Sequence, residues 1–284
     1  MTDDLIKTIT TRLPSLSKRQ KKIAEYIIAH YDKAAFMTAA RLGQAVEVSE
    51  STVVRFAMEM GFEGYPQLQK ALQEMIRNRL TSVQRMEMTD AQLGSGDILE
   101  KILMMDIDKI RRTIEETSRT EFERSIQCLM EAKTIYIMGV RSSFSLANFL
   151  FFYFNQMFDD VRLVTTSATN NVFDQILGIG EKDVFMGLSF PRYSKPTVTA
   201  IEYAKERGAK TIAITDSAAS PISEYADIRL YARSDMTSFV DSLVAPLSLV
   251  NALIVASGMK NQDKLTEKYK QLEPIWSKYE VYAK

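Results

Sequence analysis

Cysteine and histidine occur once each in this chain of 284 residues, as Cys128 and His30. A single thiol excludes a disulfide framework and a thiolate zinc cluster within the chain, so neither metal nor cofactor is expected. Charge of one sign is also lacking, because Lys+Arg and Asp+Glu number 36 each. The chain as a whole is therefore no polycation. No apolar run approaches the roughly 18–20 residues that span a bilayer; Phe149 to Phe158 is intensely aromatic but short and interrupted by polar residues. The start MTDDLIKTIT has no basic segment followed by an apolar one, so no signal peptide is expected. These absences predict a cytoplasmic protein without membrane contact. A hydrophobic content of 46% supports a sizeable core.

What charge asymmetry exists lies at the front. Residues 1–80 hold 12 basic and 9 acidic residues, and between Leu5 and Ala24 stand six bases and no acid. Such a block suits a phosphate backbone or a solvated helix face. The same region is patterned as four or five short helices. Ser17 caps a run through Ile23, Tyr26 and Ile27, Thr38 starts a second, Ser49 a third, and Tyr65-Pro66 a fourth with Leu68, Leu72 and Met75.

The third of these helices carries the most information. Ser49 is expected to cap it through its hydroxyl, and Val53, Phe56, Ala57 and Met60 recur at helical spacing as an apolar stripe. Ser51, Thr52 and Arg55 are expected on the opposite face, as donors for phosphates and base edges. Gly61 stops the helix. Ala40, Leu42, Ala45 and Val46 form the packing pattern of the helix before it. The arrangement fits the second half of a helix-turn-helix; an ordinary amphipathic helix of a small bundle has the same pattern.

Residues 81–96 lose periodicity and contain Gly94-Ser95-Gly96, which predicts a linker between domains at 1–80 and 97–284. Two helices follow, from Asp97 to about Thr117 and from Arg119 to about Ala132. Beyond Lys133 short β-rich runs alternate with helical stretches near 143–157, 194–207 and 238–257. The strands are expected at Thr134–Gly139, Val161–Thr165, Asp183–Ser189, Thr211–Thr215 and Ile228–Tyr231. This alternation predicts a flavodoxin-like α/β three-layer sandwich on a five-stranded parallel sheet. In such sheets ligands lie beyond the carboxyl ends of the strands, where the strand order reverses. Three loops there are rich in hydroxyls and cations: Gly139–Ser143, Ser189–Lys195 and Thr215–Pro221. Each is followed by a helix or turn whose N–H groups suit an anion, although serine is also the commonest helix cap. None has the spacing of a dinucleotide or P-loop motif.

Leu16–Ile27 and Val48–Leu68 together resemble the helix-turn-helix domain of the RpiR family of bacterial regulators. IYIMGVRSS, GLSFPRYSKPTV, IAITDSAASPISEYADIRL and Ser238–Ile254 resemble a sugar isomerase (SIS) domain. The resemblance implies a DNA-binding transcriptional regulator of sugar metabolism, a dimer or higher oligomer on a palindromic operator, whose SIS domain binds a phosphosugar. It places Lys18 and Arg19 as phosphate contacts, with Ser49, Ser51, Thr52 and Arg55 at the recognition helix. Ser142, Ser143, Ser189 and Ser194 fall on the positions that hold phosphate and sugar hydroxyls, with Arg192 and Asp216 as further candidates. Many SIS domains have S-x-S-G-x-T where this chain has Ser189 to Ser194, so Pro191 and Arg192 replace a serine and a glycine. Arg192 adds a cation able to pair with phosphate or carboxylate, which widens the expected effector to anionic sugars generally.

The alternative is a phosphosugar isomerase or lyase with an appended helical domain. That chemistry needs a base in the pocket, and the one histidine lies in the N-terminal half. Glu202 and Glu206 lie well inside an expected helix and fit solvated charges. No catalytic residue is assigned. The aromatic run from Phe149 is expected between the sheet and either other helices or a second subunit, and Cys128 in packing.

Overall fold

The computed structural model describes residues 2–76, 83, 85–86, 96–166, 171–235 and 240–282. Apart from residues 83, 85, 86 and 96, the expected linker lies outside them. The chain divides into two compact units that part between Gly96 and Asp97.

The first unit is helical throughout its described length: α1 Thr2–Arg12, α2 Lys18–Ala29, α3 Tyr31–Ala34, α4 Ala39–Ala45, α5 Glu50–Glu59 and α6 Tyr65–Ile76. Its core is built from Ile9, Ile23, Ile27, Leu42, Phe56, Leu68 and Leu72, all fully buried. The sequence pattern had not marked α1, yet Ile9 belongs to that core. Ser17 caps α2 in a reciprocal box with Gln20, whose side chain accepts the Ser17 N–H at 3.1 Å. Such a box satisfies N–H groups that the first turn leaves over. In α4 the buried positions are Ala39, Leu42 and Gly43, with Val46 just beyond. Ala40 and Ala45 are exposed, which corrects the expected packing pattern by one helical step.

The second unit opens with α7 Ile98–Glu116 and α8 Arg119–Glu131, capped by Asp97 and Ser118. The sandwich follows: β1 Ile135–Gly139, α9 Ser142–Met157, β2 Val161–Val164, α10 Val172–Ile176, β3 Val184–Leu188, α11 Lys195–Glu206, β4 Lys210–Thr215, β5 Ile228–Tyr231, α12 Val244–Lys260 and α13 Gln262–Lys278. The five parallel strands lie in the order β2-β1-β3-β4-β5. The order reverses between β1 and β3, so a crevice is expected beyond their carboxyl ends.

Alternation along the strands sends side chains to two cores. Ile135, Ile137, Met186, Leu188, Ile212 and Ile214 meet α8, α9 and α12 on one face. Tyr136, Met138, Phe185 and Ala213 meet α10 and α11 on the other. The fold class expected from the sequence is the one observed. Most of the aromatic run packs as expected, with Phe154 fully buried and Phe149, Phe151, Tyr153 and Phe158 against the same core. Phe152 is the exception; it is more than half exposed. Cys128 also packs against this core, and burial pushes its thiol up to about 11. It is therefore no nucleophile near neutral pH.

Candidate functional site

Two constellations bear on function, one in each unit. In the first, a four-residue turn joins α4 to α5. The turn is tight, because a Cβ on Gly43 would stand 2.7 Å from the carbonyl oxygen of Val48. Glu47 completes it in the left-handed region, at φ 57°. Helix, short turn and second helix are the geometry of a helix-turn-helix.

The outward face of α5 differs from the expectation. Ser51, Val54, Arg55 and Met58 follow at the spacing of one helical face; Val54 is partly buried and the other three are exposed. Thr52 is buried, and its Oγ1 lies 2.8 Å from the Ser49 Oγ. Thr52 stands four residues before Phe56, hence on the core-facing stripe, which corrects its placement on the outer face. Ser49 is the N-cap residue but makes no side-chain cap bond; its hydroxyl is shared with Ser51, at 3.0 Å, and Thr52. The predicted hydroxyl cap is thus a hydroxyl cluster. Arg55 is exposed, and its Nε donates to the Ser51 carbonyl at 3.3 Å, which lays the guanidinium along the face. Val54 and Met58 were missed because they looked like core residues. Lys18 and Arg19 are exposed in the first turn of α2. Lys22, from the same basic block, pairs with Glu47 at 3.1 Å.

In the second unit the loops after β1, β3 and β4 carry the constellation. Gly139 pairs with Leu188 in the sheet register, so the first two loops leave adjacent strands at the point of reversal. A Cβ on Gly139 would stand 2.4 Å from the Ser143 carbonyl oxygen, so only glycine lets α9 start so close to the strand. Arg141, next in this loop but one, has φ 58° and ψ −126°. That conformation belongs to glycine, and an arginine in it stores strain of about 1–3 kcal/mol. Ser142 is exposed and Ser143 buried.

In the loop after β3, Ser189 is buried, and its Oγ accepts the Ser194 N–H at 3.2 Å. Ser194 is the N-cap of α11 but makes no side-chain cap bond. Its Oγ and that of Thr197, in the first turn, are shielded from solvent and have no hydrogen-bond partner. Buried hydroxyls in folded proteins are nearly always bonded. Two unsatisfied hydroxyls within one helical turn are a pair of unused donors at a positive helix end. Thr197 was not foreseen; its signal in the sequence is its position three residues after Ser194.

Arg192 is exposed, and Tyr193 reaches across to donate its hydroxyl to Asp216 Oδ1 at 2.8 Å. Asp216 is buried after β4, and the Thr215 Oγ1 lies 3.3 Å from the same oxygen. Thr215 also donates to the Ser189 carbonyl at 2.6 Å and lies 2.7 Å from the Ser220 Oγ, which ties the loops after β3 and β4 together. The structure thus brings Ser189, Ser194 and Asp216 into one connected set. At the opposite end of the sheet, a groove of about 500 Å³ is lined by Cys128, Lys133, Asp183, Lys210 and Asp227, with charges of both signs.

Among the described residues no helix is long and apolar enough to cross a membrane. No group of three or more histidines, cysteines or carboxylates among them could hold a metal ion.

Residues 4–79 match the model of the helix-turn-helix domain, rpiR family, and residues 128–256 match the SIS domain. The HTH-type transcriptional regulator HexR of Escherichia coli is 27% identical over 282 residues, covering 95% of this chain and 93% of that protein. HexR of Pseudomonas aeruginosa is 27% identical over 260 residues, covering 88% and 87%. Among solved structures, the sugar isomerase domain of the RpiR transcription factor from Sphaerobacter thermophilus has a TM-score of 0.60 at 23% identity. It covers 63% of this chain and 99% of its own. The Vibrio vulnificus NanR protein complexed with ManNAc-6P has a TM-score of 0.58 at 21% identity, covering 95% and 98%.

Proposed function

This chain belongs to the rpiR family of helix-turn-helix transcriptional regulators with a SIS domain, and on that premise we propose that it senses a phosphosugar or related anionic sugar. It is a DNA-binding regulator and not an enzyme. In this reading it acts in the cytoplasm on genes of sugar metabolism, as a homo-oligomer on a palindromic operator. Residues 1–80 form the DNA-binding head, 81–96 the linker and 97–284 the sensor. Ser51 and Arg55 contact base edges, Val54 and Met58 contact thymine methyl groups, and Lys18 and Arg19 hold phosphates. Ser49 and Thr52 support that face through their shared hydroxyl cluster.

The observation that carries the sensor reading is the pair of buried, unpartnered hydroxyls of Ser194 and Thr197 at the start of α11. An anion at this helix end would take up both donors together with free backbone N–H groups. Ser142, Ser143 and Ser189 line the same end of the sheet, and Arg192 supplies a positive charge at its rim. Asp216, held by Tyr193, would accept from sugar hydroxyls. The complex of NanR with ManNAc-6P supports a ligand of this chemistry in a protein of the same fold. Effector binding would alter operator affinity through a coupling of about 1–3 kcal/mol, some 5–150-fold.

The test is a thermal-shift screen of the full chain against sugar phosphates, amino-sugar phosphates, sugar acids and their unphosphorylated parents. A ligand present at 100 times its Kd stabilises the fold by about 2.7 kcal/mol. Stabilisation that requires the phosphate is the expected result. Silence across all the phosphates, or a response to acids alone, would refute the phosphosugar part of the reading.

A further inference from the structure

Helix α7 is packed inside out. The face it turns into its own unit carries Asp106, Lys109 and Thr113, all buried. These groups are satisfied there. Lys109 Nζ lies 3.1 Å from Asp106 Oδ1, Ser242 donates to the same oxygen at 2.6 Å, and the Thr113 hydroxyl accepts the Arg233 N–H at 2.9 Å. Most apolar side chains of the helix point elsewhere, although Ile102, Met105 and Ile110 are partly buried. Leu99 is 68% exposed, Leu103 53%, Met104 59%, Ile107 49% and Ile114 57%. A surface helix normally hides its apolar stripe and hydrates its charges. Here a buried ion pair stands on one side and aliphatic surface along the length of the helix on the other.

We propose that this stripe is the contact surface between two copies of the chain, the two α7 helices lying antiparallel about a two-fold axis near Ile107. Three features single out a second copy as the occupant. The first is self-complementarity: in that arrangement Leu99 of one helix lies level with Ile114 of the other, and Leu103 with Ile110. A two-fold contact requires one patch to match itself. The second is charge. Glu100 and Arg111 stand eleven residues apart, three full turns, and so share one flank of the stripe. Both are exposed, and neither makes an ion pair among the described residues. In that register Glu100 of one copy lies within two residues, about 3 Å along the axis, of Arg111 of the other, twice over, whereas a phosphate backbone or an anionic membrane would want bases alone.

The third feature is area. Leu99, Leu103, Met104, Ile107 and Ile114 are each about half exposed or more, a patch that counts toward the roughly 800 Å² each partner contributes to a stable interface. Val244 and Leu247, both 40% exposed on α12, against which α7 packs, extend the patch. The inference rests on the expectation of an oligomer stated above and assigns it a surface.

Sedimentation equilibrium of the full chain tests it, with three sets of variants on α7. The expected mass is two copies or a multiple. Leu103→Glu should raise the dissociation constant of the α7 contact at least 100-fold while the melting temperature of the subunit fold is kept. Glu100→Arg and Arg111→Glu should each weaken the contact, and the double exchange should restore it. Ile107→Cys in a Cys128→Ser background should oxidise to a covalent dimer, and Lys101→Cys in the same background should not. A wild-type monomer would overturn both this surface and the oligomer. A wild-type dimer that survives Leu103→Glu, with no crosslink at Ile107→Cys, would overturn the surface alone and leave the oligomer standing.

Discussion

The head and the sensor expose their chemistry in opposite ways. On α5 the candidate DNA contacts Ser51, Arg55 and Met58 stand in solvent on a helix whose other face is core. In the sensor, Ser189, Thr197 and Asp216 are buried at the ends of strands and bonded to one another's loops, or to nothing. In the proposed reading the difference follows from the size of what is bound. A duplex groove is larger than the helix that enters it, so the reading groups project outward. A small ligand is enclosed, so its donors are expected to be buried and held in place beforehand. Both units nevertheless shape their candidate site with the same device, a glycine that lets two backbones approach more closely than any side chain allows.

Those two glycines give the largest effects by which to break the comparison. Gly139→Ala places a methyl group 2.4 Å from a carbonyl oxygen, and Gly43→Ala does so at 2.7 Å. Each contact lies on backbone, which cannot swing aside, and overpacking of this kind costs about 3 kcal/mol. Gly139→Ala should therefore destabilise the sensor and spare the head's helical signature; Gly43→Ala should do the reverse. Denaturation followed by tryptophan fluorescence, from Trp276 in the second unit, separates the two from far-ultraviolet circular dichroism of the whole chain. Equal loss in both units from either substitution would show that they fold as one and would end the comparison.

A second pair of variants leaves the folds intact and exchanges the functions. Arg55→Ala should lower operator affinity about 100-fold, the upper range for one bidentate base contact, with effector affinity unchanged. Ser189→Ala combined with Ser194→Ala should lower effector affinity by a similar factor and leave unliganded DNA binding as it was. Fluorescence anisotropy on an operator fragment and titration calorimetry with the effector read the two properties separately. If the double serine variant still responds fully to effector, the crevice after β3 is not the sensor site.

How far this division was legible beforehand depended on which periodicity carried it. Alternating β-rich and helical stretches marked all five strands and the loops that follow them, because β1, β3 and β4 are buried on both faces and read as continuous apolar runs, while the edge strands β2 and β5 keep a β-rich alternation. Helices that bury little left no such trace. Helix α13 buries no residue completely and contains Pro274, which by itself suggests a break. Helix α10 spans only five residues. A hydroxyl's usual preference for solvent places Thr52 on the outer face of α5, whereas its spacing from Phe56 puts it inward. Val54 and Met58 were lost to the opposite error. Nothing local to Tyr193 indicates that it reaches Asp216, 23 residues on. That contact exists only because β3 and β4 are neighbours.

Backbone strain at Arg141 was equally invisible, and it supplies a smaller test. Replacing Arg141 with glycine relieves a conformation that costs about 1–3 kcal/mol, set against the roughly 0.5–1 kcal/mol that glycine's extra freedom in the unfolded chain takes back. The expected outcome is a net gain of about 1 kcal/mol, a rise of some 2–4 °C in the melting temperature of a unit this size. A strained arginine in the loop after β1 suggests a side chain that serves the candidate site. Effector affinity should therefore fall as stability rises. A variant that gains stability without losing affinity would remove Arg141 from the sensor.

The smallest effect belongs to the head and separates its two kinds of contact. Lys18 and Arg19 stand in the first turn of α2, apart from the reading face of α5, and point into solvent. A cation there can neutralise a phosphate but has no base edge to read. Lys18→Ala and Arg19→Ala should each weaken binding only a few-fold at physiological salt, and equally on operator and unrelated duplex. Each should also reduce the slope of log affinity against log salt by about 1, since one fewer counterion is released. Arg55→Ala should instead erase most of the preference for operator. A change in preference at Lys18 or Arg19, with the salt slope intact, would make α2 a reader of sequence and would leave the head with two recognition elements rather than one.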